Sequence, residues 1–275
     1  MIINCKGQLV DLKSPKIMGI LNITPDSFYD GGSYKNESEI LLQVENMLNS
    51  GATFIDVGAY SSRPNAPFVS QNEELQRIIP VIKLLIQHFP SILISVDTFR
   101  SEVAKQSISQ GAALINDISS GLRDDKMLQT IVDLDVPYIM MHMRGDSFSM
   151  QKQTEYKNIT NDLTLYFSKQ ILACRKLGIT DLIIDPGFGF AKTTEQNFEL
   201  LNKLQLFKTL DIPILIGVSR KSMIYKTLKT SANEALNGTT ALHMIALQKG
   251  AKILRVHDVK EAEECISLFN ATFNN

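Results

Sequence analysis

Cysteine is scarce in this 275-residue chain: Cys5, Cys174 and Cys265 stand far apart and form no CxxC pair. That spacing excludes a zinc ribbon, a thioredoxin-like redox centre and a dense disulfide framework, and it suits a reducing cytoplasm. An excess of charge of one sign is also missing. Lys and Arg number 28 against 29 Asp and Glu, a formal net charge of −1, so the general basic surplus of a non-specific nucleic-acid binder is absent while a local anion pocket stays allowed. Long apolar runs are lacking too. The most apolar stretch, 78–86, is short and carries Lys83, so neither a membrane span nor a secretory signal is expected. Neither GxGxxG nor GxxxxGK[ST] occurs, which leaves a dinucleotide fingerprint and a P-loop without support. What remains is an ordinary globular composition, 44% hydrophobic and 21% charged, with no linker, repeat or low-complexity run to divide it. One domain over residues 1–275 is expected.

Along the chain, short β-rich apolar runs alternate with longer segments whose apolar residues recur every three or four positions. Strands are expected at 17–22, 54–57, 93–96, 114–117, 138–142, 182–185, 214–217 and 253–256. Helices are expected near 38–50, 71–89, 101–109, 124–134, 159–176, 195–206, 233–249 and 259–272, each following polar or cap-capable residues. Strands that read as nearly continuous apolar runs belong in a covered parallel sheet, and eight consecutive βα units close naturally into a (β/α)8 TIM barrel. An open doubly wound sheet is the alternative. Residues 2–10, with Lys6-Gly7 between two apolar pieces, form a short N-terminal β-hairpin placed to plug the barrel bottom.

The strand ends carry the chemistry. Asn22, Asp56, Asp97, Asn116 with Asp117, His142, Asp185, Ser219 with Lys221, and Arg255 with His257 all terminate apolar runs, and in a barrel these ends converge on the mouth where catalytic groups collect. Any one of them is explained as a polar strand terminus; eight together are not. Arg255 and His257 stand two apart, so they share a face and make a phosphate seat. Asp97 and Asp185 supply carboxylates for a ring bearing several N–H groups, or for developing positive charge. A metal pair is the competing reading, disfavoured because no His or Cys set accompanies them. His142, inside an apolar run, reads as a satisfied core histidine ahead of a general base, Met141 and Met143 as core filling or as the wall of an aromatic ligand, and Asp56 as support whose direct role is open.

Two connections are rich in special residues. Residues 23–37 form a loop of about 15 residues, a length more often functional than idle. Residues 58–67 set hydroxyls and Arg63 beside the rigid Pro64, as a lid holding an anion or carboxylate requires. Gly187 and Gly189 in DPGFGF permit close approach of a ligand, a weak signal alone.

The segments MGILNITPDSFYDGG, DVGAYSSRP, SVDT, NDISSG, MHMRG, DPGFGFAKT, GVSRKSMI and RVHDV, in this order and at these strand ends, resemble the dihydropteroate synthases of folate biosynthesis, from about Lys16 to His257. The resemblance implies a TIM barrel, a homodimer in the cytoplasm and a target of sulfonamides. It implies a transferase that joins 6-hydroxymethyl-7,8-dihydropterin diphosphate to p-aminobenzoate, releasing pyrophosphate, with Mg2+ as cofactor. By similarity Asp97, Asn116, Asp185 and Lys221 hold the pterin, Arg255 stacks on it and faces the diphosphate, and Asn22, Ser62 and His257 complete the phosphate end. Asp97, Lys221, Arg255 and His257 are thereby the catalytic set, and Asn22 also offers its side-chain oxygen to Mg2+, a cation that takes few protein ligands. Phe28, Arg63, Pro64, Phe190, Lys221 and Ser222 surround the p-aminobenzoate.

Three positions depart from that pattern: Tyr60 stands where Glu is common, Asn65 and Ala191 where Gly is common. Two rival functions share the pterin-holding strand ends. A pterin-binding methyltransferase has no need of the set at 24–28 or of Ser61-Ser62-Arg63-Pro64, and retention of Asn22, Asp97, Lys221, Arg255 and His257 argues against a non-catalytic pterin binder.

Overall fold

The computed structural model describes residues 1–23, 34–60, 68–146 and 149–273, with side-chain positions in the first helix beginning at Glu37. Phe28, Ser62, Arg63, Pro64 and Asn65 therefore lie outside the described residues, as does most of both special connections.

The chain opens with a hairpin of β1 (Ile2–Cys5) and β2 (Gln8–Asp11), paired antiparallel in the register Ile2↔Asp11 to Cys5↔Gln8. Its two-residue turn is Lys6-Gly7, with φ of 57° and 82°; two left-handed residues in succession give a turn whose twist matches the strands. Eight parallel strands follow: β3 (Lys16–Asn22), β4 (Phe54–Gly58), β5 (Ile94–Asp97), β6 (Leu114–Asp117), β7 (Tyr138–Met141), β8 (Leu182–Asp185), β9 (Leu215–Ile216) and β10 (Ile253–Val256). Their order is β8-β7-β6-β5-β4-β3-β10-β9, and a parallel bridge between Ile184 and Ile214 brings the two ends of that series together. The barrel is closed but for this thin seam.

Around it run α1 (Tyr34–Asn49), α2 (Gln71–His88), α3 (Ser101–Ser109), α4 (Met127–Leu134), α5 (Ile159–Lys176), α6 (Thr194–Asn202), α7 (Ser222–Leu228), α8 (Leu236–Gln248) and α9 (Val259–Phe273). The expected eighth-strand alternation holds with two adjustments. The segment expected as one helix over 195–206 ends at Asn202 and continues as a 3-10 turn over Leu204–Leu210. A short helix not read from the sequence, α7, stands between β9 and α8; its seven residues bury only Met223 and Ile224, too few to show a helical period. Local chemistry sets several of the starts. Ser70 accepts from the Glu73 N–H at the head of α2, and Thr193 with Gln196 forms a reciprocal capping box at the head of α6.

Strand parity divides the core in two. Met18, Phe54, Leu114, Ile139, Ile183, Leu215 and Ile253 point inward and pack with Ile3, Cys5, Val10 and Leu12 of the hairpin, so the hairpin plugs the bottom as expected. The alternate residues, among them Ile17, Ile55, Val96, Ile115 and Leu254, join the larger core under the helices. Because side chains repeat every second residue, the next inward positions above the apolar floor are Asp56, Ser95, Asn116, Asp185 and Arg255. A slip of one residue in any strand would exchange these for aliphatic side chains.

The barrel bottom therefore serves stability and the top serves chemistry. Leu12 is fully buried between hairpin and floor. Leu12→Ala is expected to cost about 2–5 kcal/mol in urea unfolding; a cost below about 1 kcal/mol would mean that the hairpin is not part of the core.

Candidate active site

Above the floor, an Arg side chain takes the centre of the mouth. Arg255 rises from β10 and reaches across the barrel, its Nε donating to Asp56 Oδ2 at 2.6 Å and its Nη2 to Asp97 Oδ2 at 2.8 Å. Asn116 on β6 donates from Nδ2 to the same Asp56 oxygen at 3.1 Å. Four strands are thus tied together by one cation and one amide. Asp56, left without a direct role by sequence reasoning, is the residue that orients Arg255; its parity with Phe54 on β4 was the available signal. Its other oxygen, Oδ1, is buried and has no hydrogen-bond partner among the described residues.

Across the mouth stand Asp185 and Lys221. Asp185 ends β8 and accepts the Gly187 N–H on Oδ1 at 2.8 Å. Lys221 donates from Nζ to the Phe188 carbonyl, and its ammonium lies 4.6 Å from the centre of the Phe190 ring. Gly189, at φ +81°, leaves room for this: a Cβ there would lie 3.3 Å from Lys221 Cδ. Arg220, between Ser219 and Lys221, is spoken for elsewhere. Its fork holds Asp258 through two bonds of 2.8 Å and its Nη1 donates to the carbonyls of Ala232 and Asn233.

Three carboxylates and two cations in a partly dry cleft perturb one another. Burial pushes Asp97 up to about 7, with Arg255 opposing the rise and Asp56 adding to it. Burial also raises Asp185, against the pull of Lys221. Burial lowers Lys221 to about 8, against the pull of Asp185. Arg255 is held cationic by the carboxylates around it, which outweigh its own desolvation. The structure separates neighbours that the sequence left together. Asn116 points into the cleft, whereas Asp117 points outward and spends both oxygens on Ser119, Gly121 and Tyr138. His142 also faces away from the mouth; burial, with Lys192 beside it, pushes its pKa down to about 2, so it is a neutral core histidine and no general base near neutral pH. Asn22 and His257 both end strands at the exposed rim, and the His257 N–H donates to Ser219 Oγ at 3.3 Å. Ser222 opens α7 directly after Lys221.

A family model described as pterin binding enzyme matches residues 18–257. The chain is similar to the dihydropteroate synthase of Escherichia coli K12, 43% identical over 271 residues that cover 98% of this chain and 95% of the relative. It belongs to the pterin-binding enzymes, and among them to the dihydropteroate synthases. Solved structures agree. A Yersinia pestis dihydropteroate synthase in complex with a sulfonamide drug is similar over the whole of both chains, with a TM-score of 0.93 and 40% identity. A Xanthomonas albilineans dihydropteroate synthase with 4-aminobenzoic acid is similar over 98% of this chain and 97% of that one, with a TM-score of 0.90 and 36% identity. Among the described residues no helix is long and apolar enough to cross a membrane.

The ionisations give a pH dependence. With Asp97 required as an anion and Lys221 as a cation, protonation of the first below about 7 and deprotonation of the second above about 8 produce a bell in kcat/KM for the pterin substrate, whose two limbs belong to the coupled cluster. Asp97→Asn is expected to erase the acidic limb in steady-state profiles. An acidic limb that survives this change belongs to another group.

Proposed function

We propose that this chain condenses 6-hydroxymethyl-7,8-dihydropterin diphosphate with p-aminobenzoate, giving 7,8-dihydropteroate and pyrophosphate, on the cluster centred at Arg255. The observation that carries the residue assignment is the Arg255 guanidinium bound at once to Asp56 and Asp97, with Asn116, Asp185 and Lys221 around it. Pterin edges carry several N–H donors, and Asp97 and Asp185 are acceptors matched to them. The guanidinium plane gives the bicyclic ring a surface on which to stack.

The bond that breaks joins the substrate methylene to a diphosphate oxygen, and its electron pair leaves with pyrophosphate. The dihydropterin spreads the resulting positive charge, and Asp97 offsets it. Arg255 and His257 are the groups assigned to the leaving group. The neutral arylamine then attacks the methylene through its nitrogen lone pair, the C–N bond forms, and the nitrogen sheds a proton to solvent. No strong base is required; positioning carries the second half of the reaction.

Asn22 fits a hard cation: its carboxamide stands exposed at the end of β3, and among the described residues no group of three or more His, Cys, Asp or Glu is arranged to hold a metal. A single neutral oxygen ligand, with water and phosphate oxygens completing the shell, is the habit of Mg2+. When bound, Mg2+ supplies charge stabilisation to the departing pyrophosphate. Phe190, Lys221 and Ser222 are assigned to the arylamine side, where sulfonamides would bind as arylamine mimics; Phe28, Arg63 and Pro64, outside the described residues, are assigned to it by the resemblance alone. Location in the cytoplasm accords with three buried free thiols, and an apolar groove of Phe198, Leu201, Leu242 and Ile245 between α6 and α8 is the surface on which we place the homodimer.

Formation of dihydropteroate and pyrophosphate in equal amounts by the purified protein tests the reading directly. Asp97→Asn is expected to lower turnover far more than pterin affinity, because the amide keeps hydrogen bonding and loses the charge facing the cation. Turnover within about twofold of the parent, only ~0.4 kcal/mol in barrier, would remove the electrostatic role. Calorimetric titration of p-aminobenzoate into the pterin-bound protein is expected to show tighter binding once pyrophosphate and Mg2+ are present; equal affinity in both conditions would reject coupling between the two ends of the site.

A further inference from the structure

The most fully enclosed cation in the molecule's upper half takes no part in the chemistry above. Lys192 is 4% exposed and sits beneath the turn that follows β8. Its Nζ lies 2.9 Å from the Gly187 carbonyl, 2.9 Å from the Phe190 carbonyl and 3.2 Å from His142 Nδ1, with the His142 carbonyl farther off at 3.4 Å. An ammonium has three protons, and three partners at these distances use them all. His142 is kept neutral, and its Nδ1 is in hydrogen-bond contact with the Lys192 amine. The histidine read from the sequence as a satisfied core residue ahead of a general base is thus a partner of a buried lysine.

The turn has reason to need such a hold. Gly187, Gly189 and Ala191 all adopt positive φ, at 70°, 81° and 49°, and at Ala191 the left-handed conformation brings the Cβ penalty that glycine escapes. A turn of alternating handedness turns its carbonyls in several directions, and four of the five carbonyls from 187 to 191 meet a fixed donor. Gly187 and Phe190 meet Lys192, Phe188 meets Lys221, and Ala191 meets Tyr156 Oη at 2.9 Å. The Asn197 side chain accepts the Gly189 N–H at 2.8 Å. Lys192 alone in this set binds two carbonyls of the turn, one at each end, and binds the end of β7 as well. The turn is also pressed close against β7: a Cβ on Gly187 would lie 2.1 Å from the His142 carbonyl oxygen.

We propose that Lys192 is a positioning residue for the arylamine: by drawing the carbonyls of Gly187 and Phe190 to one buried point it fixes the arc of the 187–191 turn, and so the place of the Phe190 ring beside Lys221. Burial lowers the Lys192 pKa, and the nearby Asp185 carboxylate opposes that fall; protonated or not, the amine retains donors for both carbonyls. The argument rests on the assignment of Phe190 to p-aminobenzoate, and the experiment separates the two.

Lys192→Met keeps the stem and removes every donor. Its arylamine KM is expected to rise about tenfold or more, with a smaller change in kcat, since misplacing a contact group by a fraction of an ångström is felt in binding and orientation. Hydrogen exchange in peptides spanning 186–192 is expected to quicken while peptides from the barrel floor keep their protection. Phe190→Ala and the double variant complete a cycle: if Lys192 acts through Phe190, the double variant has an arylamine KM within about twofold of Phe190→Ala alone. Additive effects, unchanged exchange at 186–192, or an unchanged arylamine KM in Lys192→Met overturn the proposal. An unchanged arylamine KM in Phe190→Ala instead overturns the assignment of that ring, and the proposal with it, whatever the exchange shows. Should Lys192→Met fail to fold, Lys192→Gln, which retains a donor of nearly the same reach, is carried through the same cycle and expected to lie between parent and a donor-free side chain.

Discussion

A single guanidinium shared by two carboxylates is the constraint on which the mouth of this barrel depends. Arg255 bridges Asp56 and Asp97, and Asp56 is wholly buried. Buried carboxylates are tolerated only when paired and hydrogen-bonded. Removing one partner of such an arrangement leaves an uncompensated buried charge and costs about 3–5 kcal/mol. Arg255 therefore cannot be read only as a substrate contact: without it, the adjacent strands β4 and β5 would carry two neighbouring acids with no cation between them. The residue proposed to meet the ligand also pairs the two acids, and that pairing lets so polar a cluster sit on an aliphatic floor.

Parity explains how the cluster is delivered. Phe54 and Asp56, Leu114 and Asn116, Ile183 and Asp185, Ile253 and Arg255 are pairs two residues apart on four strands, the lower member in the apolar floor and the upper in the cleft. The floor fixes the register, because the hairpin residues Ile3, Cys5, Val10 and Leu12 close it from below and leave no other place for the aromatic ring of Phe54. The packing at the bottom is in this sense the positional reference for the chemistry at the top.

Much of this was legible in the sequence. Eight apolar runs with polar ends, separated by helical periods, leave few architectures other than a barrel, and all the strand-end residues singled out on the described segments do reach the mouth except those whose parity turns them away. Asp117 and His142 are the instructive cases. A strand end alone does not say which face a residue takes, and only the inward set, counted from the floor, separates Asn116 from Asp117. Other features left no local mark. The partner of Asp56 stands 199 residues away in sequence, α7 is too short for a period, and the buried lysine lies in a glycine-rich turn that reads as ligand-binding backbone. The pairing of Glu74 with Arg100 and Thr98 was likewise invisible, because a helix Glu is by default a surface residue.

The charge count of the cleft closes the argument about catalysis. Asp56, Asp97 and Asp185 oppose Arg255 and Lys221, so with all five ionised the site holds one negative charge in excess. Burial raises the Asp97 pKa to about 7, with Arg255 opposing the rise and Asp56 adding to it, so near neutral pH this carboxyl leans toward taking up a proton. A bound molecule that develops a positive charge at the methylene supplies what the proton would have supplied, and it does so only as the carbon–oxygen bond lengthens. Ground-state pterin is neutral at that carbon and gains little from the surplus; the transition state gains most. In the proposed reaction, the negative charge of an ionised Asp97, held in place by the barrel before the bond breaks, would be a differential interaction of the kind that lowers a barrier without merely tightening binding.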